Sequence, residues 1–147
     1  MEPKITEIGA FTVVGICRKF HPETSYQKIP AFWAEMMQQP DFPLLGMYGI
    51  CNDTAGAGKE FDYWIADNYD PLQPIPAQCS TLTIPAGTWA VFPCTLRTLQ
   101  DTNTKMWKEW LPNCKDYKLR ASYNIEMYMP GTSEDSYVEL WLPVETI

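Results

Sequence analysis

One local pattern occurs twice in the chain at a constant offset, and it restricts the fold more than any other feature. A short strand, a glycine turn at Gly9-Ala10 and an apolar strand ending in cysteine run from Ile5 to Cys17. The same succession recurs from Leu82 to Cys94 around Pro85-Ala86-Gly87, a strong turn signal. Cys17 and Cys94 are 77 residues apart, as are Trp33 and Trp110.

A helix follows each copy. Ile29, Phe32, Trp33, Met36 and Met37 fall at helical spacing on one face, and Pro30 is expected in the first turn. In the second copy Leu99, Met106, Trp107, Trp110 and Leu111 predict a helix stopped at Pro112, with Lys105, Lys108 and Glu109 on its polar side. The helical aromatics read as core.

Two strands close each half. Leu44 to Cys51 and Phe61 to Ala66 are joined by the glycine-containing loop from Asn52 to Gly58, and Ala121 to Met129 and Tyr137 to Val144 by Pro130-Gly131-Thr132-Ser133. The expectation is a single α+β domain over 1–147: duplicated β-α-β-β halves, roughly 1–66 and 79–147, with a proline-containing linker over 67–78. Such halves can pair about a pseudo-twofold axis. Helices would cover one face of the antiparallel strands, and the opposite faces would meet around a central groove.

Glu126 is the only charge in Tyr123-Asn124-Ile125-Glu126-Met127-Tyr128-Met129, an aromatic-rich strand. Side chains alternate faces along a strand, so Asn124, Glu126 and Tyr128 share one side. In the last strand Val138, Leu140, Leu142 and Val144 form an apolar seat for a helix, and Tyr137, Glu139 and Trp141 form the other face. With the two acid-and-aromatic faces side by side, the neighbouring strands are expected to present two carboxylates and three rings on one surface.

Composition excludes several classes. The net charge is −7, with 11 basic residues against 18 acidic, whereas nucleic-acid binding depends on clustered Lys and Arg that displace counterions from phosphates. The five cysteines are widely spaced without a CxxC pair, and His21 is the only histidine. That pattern fits neither a disulfide framework nor a zinc site. Gly56-Ala57-Gly58 lies between strands rather than at a strand–helix junction, so no phosphate loop is present and no cofactor is expected. No leader-like or membrane-spanning apolar run appears, and the sequence reads as that of a soluble, reduced, cytoplasmic protein.

The segments Thr83 to Phe92, Glu109-Trp110-Leu111-Pro112-Asn113, Tyr123 to Tyr128 and Val138 to Val144, taken in order with Phe61-Asp62-Tyr63-Trp64-Ile65, resemble the gyrase-inhibitor-like (GyrI-like) effector-binding domains. Those domains occur alone or fused to AraC-type and MerR-type DNA-binding domains. The resemblance covers nearly the whole chain and implies the duplicated fold and a central groove for hydrophobic, often cationic, small molecules. It assigns the cation-meeting glutamate to Glu126, the tyrosine before the linker to Tyr63 and the aromatic after the Ala-Gly turn to Trp89. It leaves no room for a helix-turn-helix, so any DNA-binding function would belong to a separate regulator protein. One departure is Cys114-Lys115-Asp116, where many members have Ser-Gly.

Three functions are compatible with these residues. The first is a binding module for a hydrophobic or cationic ligand, with Glu126 and Glu139 as anions, Tyr63, Trp89, Tyr128 and Trp141 as walls, and Tyr48 and Cys51 from the matching strand. It acts alone, as a homodimer or with a separate regulator protein. The second is a hydrolase that opens cyclopropane-bearing or otherwise electrophilic natural products, with Glu126 and Glu139, or Glu35 or Glu60 in place of the latter, sharing one water. The third is a topoisomerase-inhibitory protein.

Overall fold

The computed structural model describes residues 2–53, 59–130 and 133–147. Among these, the elements follow in the order β1 (Lys4–Ile8), β2 (Phe11–Phe20), α1 (Ser25–Met37), β3 (Tyr48–Asn52), β4 (Phe61–Asn68), β5 (Ser80–Ile84), β6 (Gly87–Thr95), α2 (Leu99–Lys105), a π-helical turn (Met106–Trp110), α3 (Leu111–Asn113), β7 (Tyr117–Leu119), β8 (Tyr123–Tyr128) and β9 (Tyr137–Thr146). The chain is thus α+β, as expected. Of the two expected closing loops, 54–58 and 131–132 lie outside the described residues.

All described strand pairs are antiparallel and belong to one sheet of order β1-β6-β9-β8-β3-β4-β2-β5, with β7 added alongside β9. The four strands of each expected half are not contiguous in it: β1 crosses to β6 and β5 crosses to β2. The exchange ties the halves at both ends, and β3 pairing with β8 ties them in the middle. This order is compatible with the duplicated pattern in the sequence.

Each helical segment covers one half of the same face. On β2 and β4, Phe20, Phe61, Tyr63 and Ile65 pack against Phe32 and Met36 of α1. On β6 and β9, Ala90, Phe92, Leu140, Leu142 and Val144 pack against Met106, with Leu99, Trp110 and Leu111 around them. The other face does not stay open. Phe11 on β2 and Trp141 on β9 are four strand spacings apart in the sheet order, about 19 Å if it were flat. Their ring centroids are 6.1 Å apart. The sheet therefore curls, and its inner face closes on a third core containing Val13, Ile50, Trp64, Trp89 and Ile125.

Three local expectations are corrected. The first helix begins at Ser25, which places Pro30 inside it rather than in its first turn. The helix continues because Phe32 and Met36, 2% and 3% exposed, anchor the turns beyond the proline. β3 starts at Tyr48 rather than Leu44. The backbone N–H groups of Leu45, Gly46 and Met47 donate instead to the Asp67 carboxylate at 2.7, 2.9 and 3.0 Å, and Gly46 takes a φ of +81° that only glycine adopts freely. The second helix is interrupted by the π turn and ends at Asn113, one residue beyond Pro112.

Candidate functional site

Between the two helical segments, the central strands β3 and β8 form the floor of a groove of ≈ 460 Å³. Antiparallel pairing sets that floor: Gly49 lies opposite Glu126 and Cys51 opposite Asn124, and the Asp53 N–H donates to the Ser122 carbonyl at 2.8 Å. Cys51, Asp53, Ser122, Asn124 and Glu126 line the groove from below. Ser25 and Ile29 of α1, with Phe61 of β4, form one wall; Asn103 of α2, Trp107 of the π turn and Leu119 of β7 form the other. A π turn carries an extra residue, and such insertions often mark functional sites. Here it carries both Met106, fully buried against the sheet, and Trp107, turned to the groove.

Glu126 stands at the inner end of the floor. The Tyr63 hydroxyl donates to its Oε1 at 2.7 Å, and the Trp33 indole N–H donates to the Tyr63 oxygen at 2.9 Å. This chain fixes one carboxylate oxygen from behind, through side chains on β4 and α1. The Tyr128 ring packs edge-on against Trp33 with centroids 5.4 Å apart. Gly49 makes the arrangement sterically possible, because a side chain there would run into the Tyr63 hydroxyl and Glu126 Oε1.

Burial raises the Glu126 carboxyl above the ordinary glutamate range, and the Tyr63 and Tyr128 hydroxyls partly offset it by hydrogen bonding to the ionised form. The same acid, after burial, helps to push the Tyr63 and Tyr128 hydroxyls up, so both tyrosines stay protonated donors. Burial also lifts the Cys51 thiol to about 12, which leaves it protonated and a poor nucleophile at neutral pH. Among the described residues, the basic side chains that form ion pairs (Arg18, Lys19, Arg97, Lys105 and Lys118) meet acids other than Glu126 and Asp53.

The eight residues expected at a ligand site divide evenly between the two faces. Glu126, Tyr63, Tyr128 and Cys51 are together on the helix side, at or directly behind the groove. Tyr48, Trp89, Trp141 and Glu139 are on the inner side of the curl. There Trp141 packs against Phe11, Tyr48 and Trp89, and Glu139 accepts hydrogen bonds from Tyr137 at 2.7 Å and Trp141 at 2.9 Å.

The expectation that Glu126 and Glu139 share a surface is therefore corrected. Glu126 is opposite Leu140 and Glu139 opposite Met127, so the sheet separates the two carboxylates. The expected groove between the helix-free faces is a packed core, and the open groove lies on the helix side instead. Glu35 is exposed and paired with Arg18, and Glu60 is exposed before β4, so neither joins Glu126 in the groove lining.

Sequence reasoning missed the groove contributions of Ile29, Phe61, Trp107 and Asp53, and the support given by Trp33. The tryptophans sit at helical spacing indistinguishable from core, and each is only half-buried. Asp53 falls in a segment that reads as a loop, and only its continued pairing with Ser122 brings it onto the floor. Among the described residues, no group of His, Cys, Asp and Glu could hold a metal ion.

A family model described as Cass2, integron-associated effector binding protein, matches residues 4–144. Among solved structures, the chain is similar to SAV2435 bound to tetraphenylphosphonium, with 22% identity, a TM-score of 0.75, and 99% of this chain and 94% of that one covered. It is similar to an integron cassette protein from the mobile metagenome of Vibrio cholerae at 18% identity and TM-score 0.75, with 98% and 96% covered. It also resembles the EcmrR C-terminal domain at 17% identity and TM-score 0.65, with 99% and 98% covered. No curated protein matches by sequence.

Proposed function

Because the chain belongs to the family of integron-associated effector-binding proteins, we propose that it binds hydrophobic organic cations in the groove between α1 and the second helical segment, with Glu126 as the counter-charge. The observation that carries this reading is the state of Glu126: a half-buried carboxylate at the end of an aromatic-walled groove, held by Tyr63 and left without a basic partner among the described residues. An ionised carboxylate removed from water is costly unless a cation meets it. A lipophilic cation supplies that charge and also buries its own apolar surface against Ile29, Phe61 and Trp107.

Each aromatic face the cation meets adds about 0.5–2 kcal/mol. The Tyr63–Trp33 chain holds the carboxylate in place before the ligand arrives, so little ordering cost remains at binding. The net charge of −7 favours the approach of cations over anions. The similarity to a protein solved with tetraphenylphosphonium is a fold likeness that supports the choice of that compound as a probe.

The test is a tryptophan-fluorescence titration with tetraphenylphosphonium and with neutral tetraphenylsilane as its uncharged counterpart. Tetraphenylphosphonium should quench saturably, and Glu126→Gln should weaken it tenfold or more, about 1.4 kcal/mol or above. Equal affinity of the variant, or equal binding of the neutral compound, would overturn the assignment.

A further inference from the structure

We propose that the groove has a second anionic anchor, Asp53, and that the ligand class it favours is elongated with two cationic centres. This rests on the reading of Glu126 as a cation-binding acid and extends it. Two observations carry it. First, the groove floor runs along the strand axis, and Glu126 and Asp53 occupy its two ends. Glu126 is opposite Gly49, and Asp53, four residues on from Gly49, directly follows the end of β3, held to Ser122 by its backbone N–H at 2.8 Å. Four strand steps place the two anchor positions about 13 Å apart. Both side chains line the same groove, with Trp107 and Leu119 on the wall beside them.

Second, Asp53 Oδ1 is shielded from water in the empty groove and accepts no hydrogen bond among the described residues, so the carboxylate has to turn about its last side-chain bond to offer that oxygen to a ligand. A shielded carboxylate oxygen without a donor is uncommon in a folded protein and costly to leave unmet. None of the ion pairs among the described residues uses it. A groove with one acid selects for one cationic centre; this one has two, with Cys51 and Asn124 between them on the floor and Ile29, Phe61 and Trp107 among the wall residues. A ligand with ammonium groups at matching separation reaches both acids in one binding event, and the second contact is intramolecular once the first has formed.

A second concavity offers no comparable chemistry. A depression of ≈ 320 Å³ lies between the end of α1 and residues 76–79, and its one acid, Asp41, is exposed to water.

The experiment uses the full chain and three probes: decyltrimethylammonium, decamethylene-bis(trimethylammonium) and tetramethylene-bis(trimethylammonium), titrated calorimetrically at fixed ionic strength. The long bis-cation is expected to bind at least tenfold more tightly than the mono-cation, and the short one no more tightly than the mono-cation. Asp53→Asn should bring the long bis-cation to the level of the mono-cation measured on the same variant, with the variant's circular-dichroism spectrum and urea midpoint checking that it is folded. If the mono-cation binds through Glu126 but the long bis-cation gains nothing, or if Asp53→Asn leaves that gain intact, the second anchor is wrong and the reading of Glu126 survives. If no probe binds, or binding is indifferent to Glu126→Gln, the reading of Glu126 fails and the second anchor fails with it.

Discussion

Glu126 is a residue whose ligand-binding and stabilising preferences oppose each other. Burial raises its carboxyl, so folding of the empty protein disfavours the ionised form. For an acid raised in this way, the stabilisation is complete below the ordinary glutamate value and is lost as pH rises through the raised one. Cation binding needs the ionised form and runs in the other direction. Affinity for tetraphenylphosphonium should fall as pH is lowered through the Glu126 titration, while the ligand-free protein gains stability over the same interval. Glu126→Gln should remove both dependences. At neutral pH it should raise the ligand-free protein's stability by about 1 kcal/mol, since the unpaired buried charge is gone. Urea unfolding and fluorescence titration across a pH series test both halves together. An ion at this position was legible in the sequence because a lone acid in an aromatic strand is uncommon. Tyr63 came with it through the family resemblance, whereas the support from Trp33 was not legible, because Trp33 is 93 positions away.

At the scale of elements, alternation within each strand was readable and the relation between strands was not. Glu126 and Tyr128 do share a face, and Val138 to Val144 do seat a helical segment. The face that Glu139 and Trp141 share with β8 depends on register, and a shift of one residue exchanges every side chain between faces. Leu140, not Glu139, stands opposite Glu126. The start of β3 was hidden for a related reason: Asp67, distant in sequence, takes the N–H groups that a longer strand would have used. Helix α1 offers a test of how far packing overrides local preference. Pro30 is exposed, lacks an N–H and sits in the helix interior, where proline is unfavourable by about 3 kcal/mol relative to alanine. Part of that cost is offset because proline also restricts the unfolded chain. Pro30→Ala should therefore stabilise the protein by about 1–2 kcal/mol in urea unfolding without moving the affinity of the groove, since Ile29 and Ser25, not Pro30, face it. A loss of stability would mean that the proline ring fixes the helix in a way its exposure does not suggest.

The whole molecule is a curled sheet with two outer helical segments, and this shape explains why half of the expected ligand residues lie elsewhere. A flat sheet with helices on one side has a free face, and an aromatic-rich free face invites a ligand. Curling removes that face by packing it on itself: Trp89 is fully buried there, with the Arg120 guanidinium 5.4 Å from its ring. Curvature is a property of the whole set of strand pairs, including the exchanged β1 and β5, and no window of the sequence carries it. The two faces should accordingly respond independently. Trp89→Phe leaves a gap in a closed core and should lower stability by about 1–3 kcal/mol, with tetraphenylphosphonium affinity unchanged within twofold. Trp107→Ala removes a half-buried ring from the groove wall and should weaken that ligand about tenfold, the scale of a lost aromatic contact of ~1–2 kcal/mol, at a smaller cost in stability. Changes without shared partners are additive, and Trp89 and Trp107 pack in separate clusters, so the double variant should show both effects undiminished in parallel unfolding and binding measurements. If Trp89→Phe instead weakened the ligand as strongly as Trp107→Ala, the inner face would have to open to bind, and the groove on the helix side would not be the site.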